Sequence, residues 1–148
     1  MRKSMRTLGL AALMATGLAL PATAQGYQAV NRLVVVPLGG GDFEVIEGRG
    51  EGARGIWCAA ADYIKARQGG GANPRVYVKR VRGPSIAAPG RKGVVFTTDA
   101  GALGAAPSQS LSVTTRIAGV GLPANHAIQF CKDYLIELED IFYRRRGY

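Results

Sequence analysis

The chain holds two cysteines, Cys58 and Cys131, and one histidine, His126. A free Cys58 beside Trp57 at the start of a helix would have its thiol pKa lowered by the helix dipole. His126 could then take the proton, which gives a cysteine-nucleophile hydrolase of the Cys-before-His order found in papain-like enzymes. The residues after Cys58 are Ala59-Ala60-Ala61-Asp62, however, with none of the local signature of that group, and a second cysteine is available to tie up the thiol. Paired as a disulfide, the two would close a loop of about 70 residues and stabilise the fold by about 4 kcal/mol on the chain-entropy account. The pair is the primary reading and the hydrolase its alternative.

Three other groups of residues invite a chemical reading. Gly50-x-Gly52-x-x-Gly55 follows an expected strand and opens an expected helix, the local setting of a dinucleotide-binding turn. The acidic residue needed about 20 positions on is missing, and Glu47 and Glu51 would repel a pyrophosphate, so the glycines read as backbone turn-formers. Arg49 and Arg54 leave a milder option, a helix N-terminus that holds a small anion or a carboxylate. Asp42, Glu44 and Glu47 alternate with Phe43 and Val45, which reads as the solvated face of an edge strand before it reads as a glycosidase pair. One histidine, two pairable cysteines and scattered carboxylates do not converge on a metal, so no metal or cofactor is expected, and no serine sits in a Gly-x-Ser-x-Gly elbow.

The most distinctive polar feature is the stretch from Arg75 to Lys92, which holds Arg75, Lys79, Arg80, Arg82, Arg91 and Lys92 and no carboxylate. With Tyr77 among them, these residues offer a basic surface for anionic lipid headgroups, lipopolysaccharide, acidic glycans or an acidic protein. Arg54 joins them as a candidate anion-binding residue. The plainer reading is a hairpin whose cations blunt the sheet edge. Period-two alternation puts Val76, Val78, Arg80 and Arg82 on one face and Arg75, Tyr77, Lys79 and Val81 on the other, so the charges do not all converge.

The elements that must position these residues follow from the apolar pattern. Asn31–Leu38 is β-branched and apolar on both faces, Gly39-Gly40-Gly41 turns the chain, and Asp42–Glu47 is the hairpin partner. A helix is expected over Arg54–Arg67, stopped by Gly69-Gly70-Gly71. Strands are expected over Arg75–Arg82, Lys92–Thr98 and Ser110–Ile117. In the last of these Leu111, Val113, Thr115 and Ile117 alternate with Ser112, Thr114 and Arg116. A second helix begins at Pro123 or Asn125 and runs to about Tyr143, with Ala127, Cys131, Tyr134, Leu135, Leu138 and Phe142 on one apolar stripe. The order β-β-α-β-β-β-α points to an α+β fold, an antiparallel sheet of about five strands with two helices packed on it.

At 100° per residue Cys58 falls opposite Ile56, Ala60 and Ile64. A disulfide to Cys131 then requires either that the second helix pack over the back of the first or that Cys58 sit in an irregular first turn.

The chain opens with Arg2, Lys3 and Arg6, an apolar run from Leu8 to Leu20, then Pro21 and the small-x-small triplet Ala22-Thr23-Ala24. That is the pattern of a secretory signal peptide cleaved before Gln25. Thirteen apolar residues fall short of the roughly 20 that a membrane-spanning helix needs. Cleavage would remove three of the 19 basic residues and none of the ten acidic ones, leaving a 124-residue single domain of net charge +6 in a periplasmic or secreted location. In that compartment nucleic acid is not an expected partner, and the oligomeric state stays open.

The stretches GGGDFEVIEGRGEGARGIWCAAADY and GRKGVVFTT resemble small exported proteins of proteobacteria, mainly alphaproteobacteria, that carry a domain of unknown function. The resemblance covers about half of the expected mature chain and implies export and a shared small fold; it carries no activity and no site residue. Taken together, the residues favour a binding or envelope-interaction module over an enzyme.

Overall fold

The β-branched run after Asn31 forms a strand as expected, but it starts later and has a neighbour in front of it. In the computed structural model, which describes residues 25–146, a two-residue strand β1 (Tyr27–Gln28) pairs antiparallel with β2 (Val34–Gly39). The expected signal peptide over residues 1–24 lies outside the described residues. The triple-glycine turn Gly39–Gly41, all three at positive φ, then folds β3 (Asp42–Ile46) back onto β2.

Helix α1 (Ala53–Gln68) follows, and then β4 (Arg75–Pro84), β5 (Lys92–Thr97) and β6 (Gly121–Pro123) complete a six-stranded antiparallel sheet in the order β1-β2-β3-β5-β4-β6. The chain ends in a helical arm: α2 (Ala124–Ala127), one 3-10 turn over Ile128–Phe130, and α3 (Cys131–Arg145). The fold is α+β, with about the strand count and element order that the pattern implied.

The core lies between one face of the sheet and α1. Val35, Phe43, Val45, Val76, Val78, Val94 and Phe96 meet Ile56, Trp57, Ala60, Tyr63 and Ile64. Phe96 lies 4.9 Å from Trp57 and 5.8 Å from Phe43, ring centre to ring centre, within the range in which aromatic pairs add to simple burial. Cys58 sits in regular helix and is fully buried, bonded to Cys131 with the Cα atoms 5.0 Å apart. The disulfide geometry is therefore solved by the first of the two routes: the C-terminal arm packs over the back of α1, where Gly55, Ala59 and Ala61 keep the surface low.

Two expectations are corrected. Ser110–Ile117 is not a strand. Ser108, Ser110, Ser112 and Thr114 each accept, through the side-chain hydroxyl, the N–H two residues further on, at 3.1–3.3 Å. Those amides are lost to a sheet ladder. The carbonyls go elsewhere too, Val113 O to Trp57 Nε1 (2.9 Å) and Thr115 O to the Arg82 amide (2.9 Å). The last strand is instead the short Gly121–Pro123.

Nor is β3 a solvated edge. It lies inside the sheet between β2 and β5, and Glu44 is only 1% exposed. The loop after β4 folds over the carboxylate and donates to it from Ser85 Oγ (3.0 Å), Ile86 N (3.0 Å) and Ala87 N (2.8 Å). Such charge-assisted bonds offset the cost of burying an anion. The space comes from Gly93 on β5, where a β-carbon would lie 2.4 Å from Glu44 Oε1.

Gly93→Ala should therefore destabilise the protein by about 2 kcal/mol in chemical denaturation. Adding Glu44→Ala to it should cost less than the sum of the two single changes, because the clash disappears with the carboxylate. Strict additivity would contradict this account of the pair.

Candidate functional site

The six cations of the β4–β5 hairpin read as an unopposed basic surface, but the fold supplies opposing groups from outside the segment. Lys79 and Arg82 reach past β5 to the two ends of β3. Lys79 pairs with Asp42, and Arg82 makes a two-point contact with Glu47, Nε to Oε2 at 2.8 Å and Nη2 to Oε1 at 2.6 Å. Arg75 points its guanidinium at carbonyls, donating from Nη2 to Gly121 O (2.6 Å), Ser110 O (3.1 Å) and Ser108 O (3.3 Å), and so latches the serine-rich segment onto β4. β4 also departs from simple alternation, with register shifts between Val78 and Arg80 and between Arg80 and Gly83, so the two faces read from the sequence hold only for its first half.

Arg54 is similarly engaged. Its Nε and Nη2 reach Asp133 Oδ2 at 2.8 and 2.7 Å, and its guanidinium lies 4.6 Å from the centre of the Phe130 ring. Helix α1 has Gly52 as N-cap and no capping side chain. A β-carbon on Gly55 would lie 1.9 Å from Glu51 Oε2, which places the Glu51 carboxylate against the first turn. The anion-holding position between Arg49 and Arg54 is thus furnished from within, Asp133 serving Arg54 and Glu51 lying over the helix start. Among the described residues the glycine turn also lies outside any βαβ unit, since β1 to β6 all pair antiparallel.

What the fold leaves is a hub at the loop from Gly48 to Gly52, from which three grooves radiate. A groove of about 330 Å³ is lined by Glu47, Arg49, Arg82, Arg91 and Lys92 among others. Arg91 donates from Nη2 to the carbonyl of Glu47 at 2.8 Å. A second, of about 220 Å³, continues past Arg82 to Arg116 and Thr115. The third, of about 360 Å³, lies on the α3 side and is of mixed charge, with Glu51, Asp133 and Glu137 opposed by Arg49 and Arg54 beside Phe130 and Tyr134. Among the described residues Arg49, Arg80, Lys92 and Arg116 make no ion pair.

The two glutamates at the hub titrate in opposite directions. The hydrogen bonds from Arg82 hold the Glu47 carboxyl below the ordinary carboxylate range, with Lys92 adding to the effect. Burial pushes the Glu51 carboxyl up, Glu137 pushes it further, and Arg49 partly offsets both.

Cys58 and His126 do not form a site: Cys58 is in its disulfide, and His126 is exposed with its ring edge-on to Phe130 at 5.5 Å. Asp42 and Glu44 have separate partners, as above. Among the described residues no group of three or more histidine, cysteine, aspartate or glutamate side chains is arranged to hold a metal ion, and no helix is long and apolar enough to cross a membrane. Sequence reasoning did not single out Arg116 or the meeting of Glu51 with Glu137. The first lay in a mistaken strand, and the second depends on where α3 crosses α1.

Comparison of the chain with protein-family models, with curated proteins and with solved structures finds no match.

Because the fold disfavours ionised Glu51, this group favours unfolding increasingly as pH rises from its ordinary value of 4.5 through its raised folded value. Glu51→Gln should raise the melting temperature at pH 7, and the gain should disappear below about pH 4. Glu137→Gln should act in the same direction by removing the repulsion. A loss of stability at pH 7 in Glu51→Gln would contradict the assignment.

Proposed function

We propose that this chain is an exported, disulfide-stapled binding module that holds an anionic group, a phosphate, sulfate or carboxylate of an envelope component or of an acidic protein, in the groove around Arg49, Arg82, Arg91 and Lys92. The observation that carries the reading is the charge balance of that groove. Its one carboxylate, Glu47, is already bound at two points by Arg82, so Arg49, Arg91 and Lys92 are left in excess. Arg116 extends the same positive surface through the neighbouring groove.

The geometry also sorts the cations by role. Arg54, Arg75 and Lys79 hold the fold together, whereas Lys92 and Arg49 border the groove with no ion pair, and Arg91 lines it while one of its guanidinium nitrogens holds the Glu47 carbonyl. Several cations around one concave surface favour multivalent anions and make binding salt-dependent. The basic leader pattern and the paired cysteines support a location in the envelope or beyond it, where phosphorylated and acidic polymers are abundant.

The test is retention on heparin and co-sedimentation with phosphatidylglycerol vesicles across a salt series. Arg91→Ala with Lys92→Ala should weaken both by about tenfold at low salt, at about 1 kcal/mol or less for each cation, and should flatten the salt dependence. Arg80→Ala, outside the groove, should have little effect. Equal binding by the double variant and the parent protein would remove the groove from the account.

A further inference from the structure

Helix α3 leaves the body of the protein part-way along its length. Its first turns are held by the disulfide at Cys131, by Asp133 on Arg54, and by the half-buried Tyr134 and Leu138. From Glu139 to Arg146 every residue is exposed. Ile141, Phe142 and Tyr143 are 51%, 62% and 65% accessible, and Leu135 and Ile136 are exposed one turn or two earlier. Large apolar side chains collected on one helix mark a contact surface more often than a solvated end. At 100° per residue Leu135, Ile136, Phe142 and Tyr143 share a side with Glu139 and Arg146. A shallow groove of about 300 Å³ lies there, lined by Glu139, Phe142, Tyr143 and Arg146.

The charges on this helix choose the occupant. Glu137, Glu139 and Asp140 precede Arg144, Arg145 and Arg146, and among the described residues none of the six has an ion-pair partner. A helix that is acidic first and basic last is complementary to a second copy of itself run antiparallel; a parallel copy would set like against like. With a two-fold axis beside Phe142 and Tyr143, those rings stack on their counterparts. Glu139 of each copy then faces Arg146 of the other. Such a contact is isologous and closes on itself. An anionic lipid surface fits less well, because it would be repelled by the three carboxylates on the same stretch.

We propose that the protein self-associates as a two-fold dimer through the outer face of α3, the two helices antiparallel. The contact uses about two turns of each helix, so it lies at the small end of specific interfaces and the dimer is weak and reversible. The residues of this face are distinct from those that line the basic groove.

Sedimentation equilibrium of the purified, disulfide-bonded protein at low and at physiological salt tests this. The mass should rise reversibly from monomer to dimer with concentration, and less so at higher salt. Glu139→Arg or Arg146→Glu alone should weaken association by about tenfold, since each sets like charges opposite one another at two symmetric places. The double variant E139R/R146E should recover most of the loss, and Phe142→Asp should leave a monomer. All these positions are exposed, so unchanged melting temperatures serve as the fold control. A protein that stays monomeric at the highest soluble concentration overturns the proposal. So does a double variant no better than the single ones, or a monomer whose α3 residues instead govern adsorption to phosphatidylglycerol vesicles.

Discussion

Helix α1 is buried on two opposite sides, and the arrangement of the rest follows from that constraint. One side carries Ile56, Trp57, Ala60 and Ile64 to the sheet, and the other carries Gly55, Cys58 and Ala59 to the C-terminal arm. Small residues on the second side let the arm approach closely enough for the Cys58–Cys131 bond, with Cα atoms 5.0 Å apart. The bond joins α1 to the C-terminal arm, which is otherwise held by the packing of Ala124, Ala127 and the 3-10 turn and by the contacts of Arg54 with Asp133 and Phe130. By closing so long a loop it also limits the freedom of the unfolded chain. The position of α1 in turn fixes the loop before it, so the Gly48–Gly52 hub is clamped between the end of β3 and the first turn of the helix.

Electrostatics in this protein is organised by strands that are not neighbours. β3 is acidic and β4 basic, and β5, which separates them, carries one charge, Lys92 at its start, followed by glycine, valine, phenylalanine and threonine. Lys79 and Arg82 therefore reach across β5 to meet Asp42 and Glu47 at the two ends of β3, and Glu44 between them is satisfied by amides and a hydroxyl rather than by a cation. A hairpin that reads as six free cations becomes one in which Lys79 and Arg82 are paired with carboxylates and Arg75 and Arg91 donate to backbone carbonyls. Of the cations without a carboxylate, Arg91 and Lys92 gather at one end, beside Arg49. That redistribution turns a diffuse positive segment into a localised groove.

Much of the architecture was legible. Runs of β-branched residues gave away β2 to β5, and the glycine clusters on either side of α1 placed it to within one residue at each end, 53–68 against an expected 54–67. The disulfide was legible from the even cysteine count, although not the packing that permits it. Ser110–Ile117 misled because a ladder of serine and threonine turns repeats every two residues, the same period as a half-buried strand. β6, three residues of Gly-Leu-Pro, is too short to announce itself. Glu44 looked solvated because nothing local shows that a loop 40 residues on will fold over it. For the candidate site, the residue types were visible and their availability was not. Which arginine is free depends on which strands become neighbours, and that is decided by the whole chain.

The claim on which all of this rests, that α1 is sealed on both sides, is tested most directly by native-state hydrogen exchange in the oxidised protein. The account predicts that the amides from Ala59 to Ile64 exchange only through global unfolding, as slowly as those of β3 and β5 at the centre of the sheet. If they exchange at the rate of an exposed helix while β3 and β5 stay protected, the arm does not cover α1, and the disulfide-centred packing is wrong.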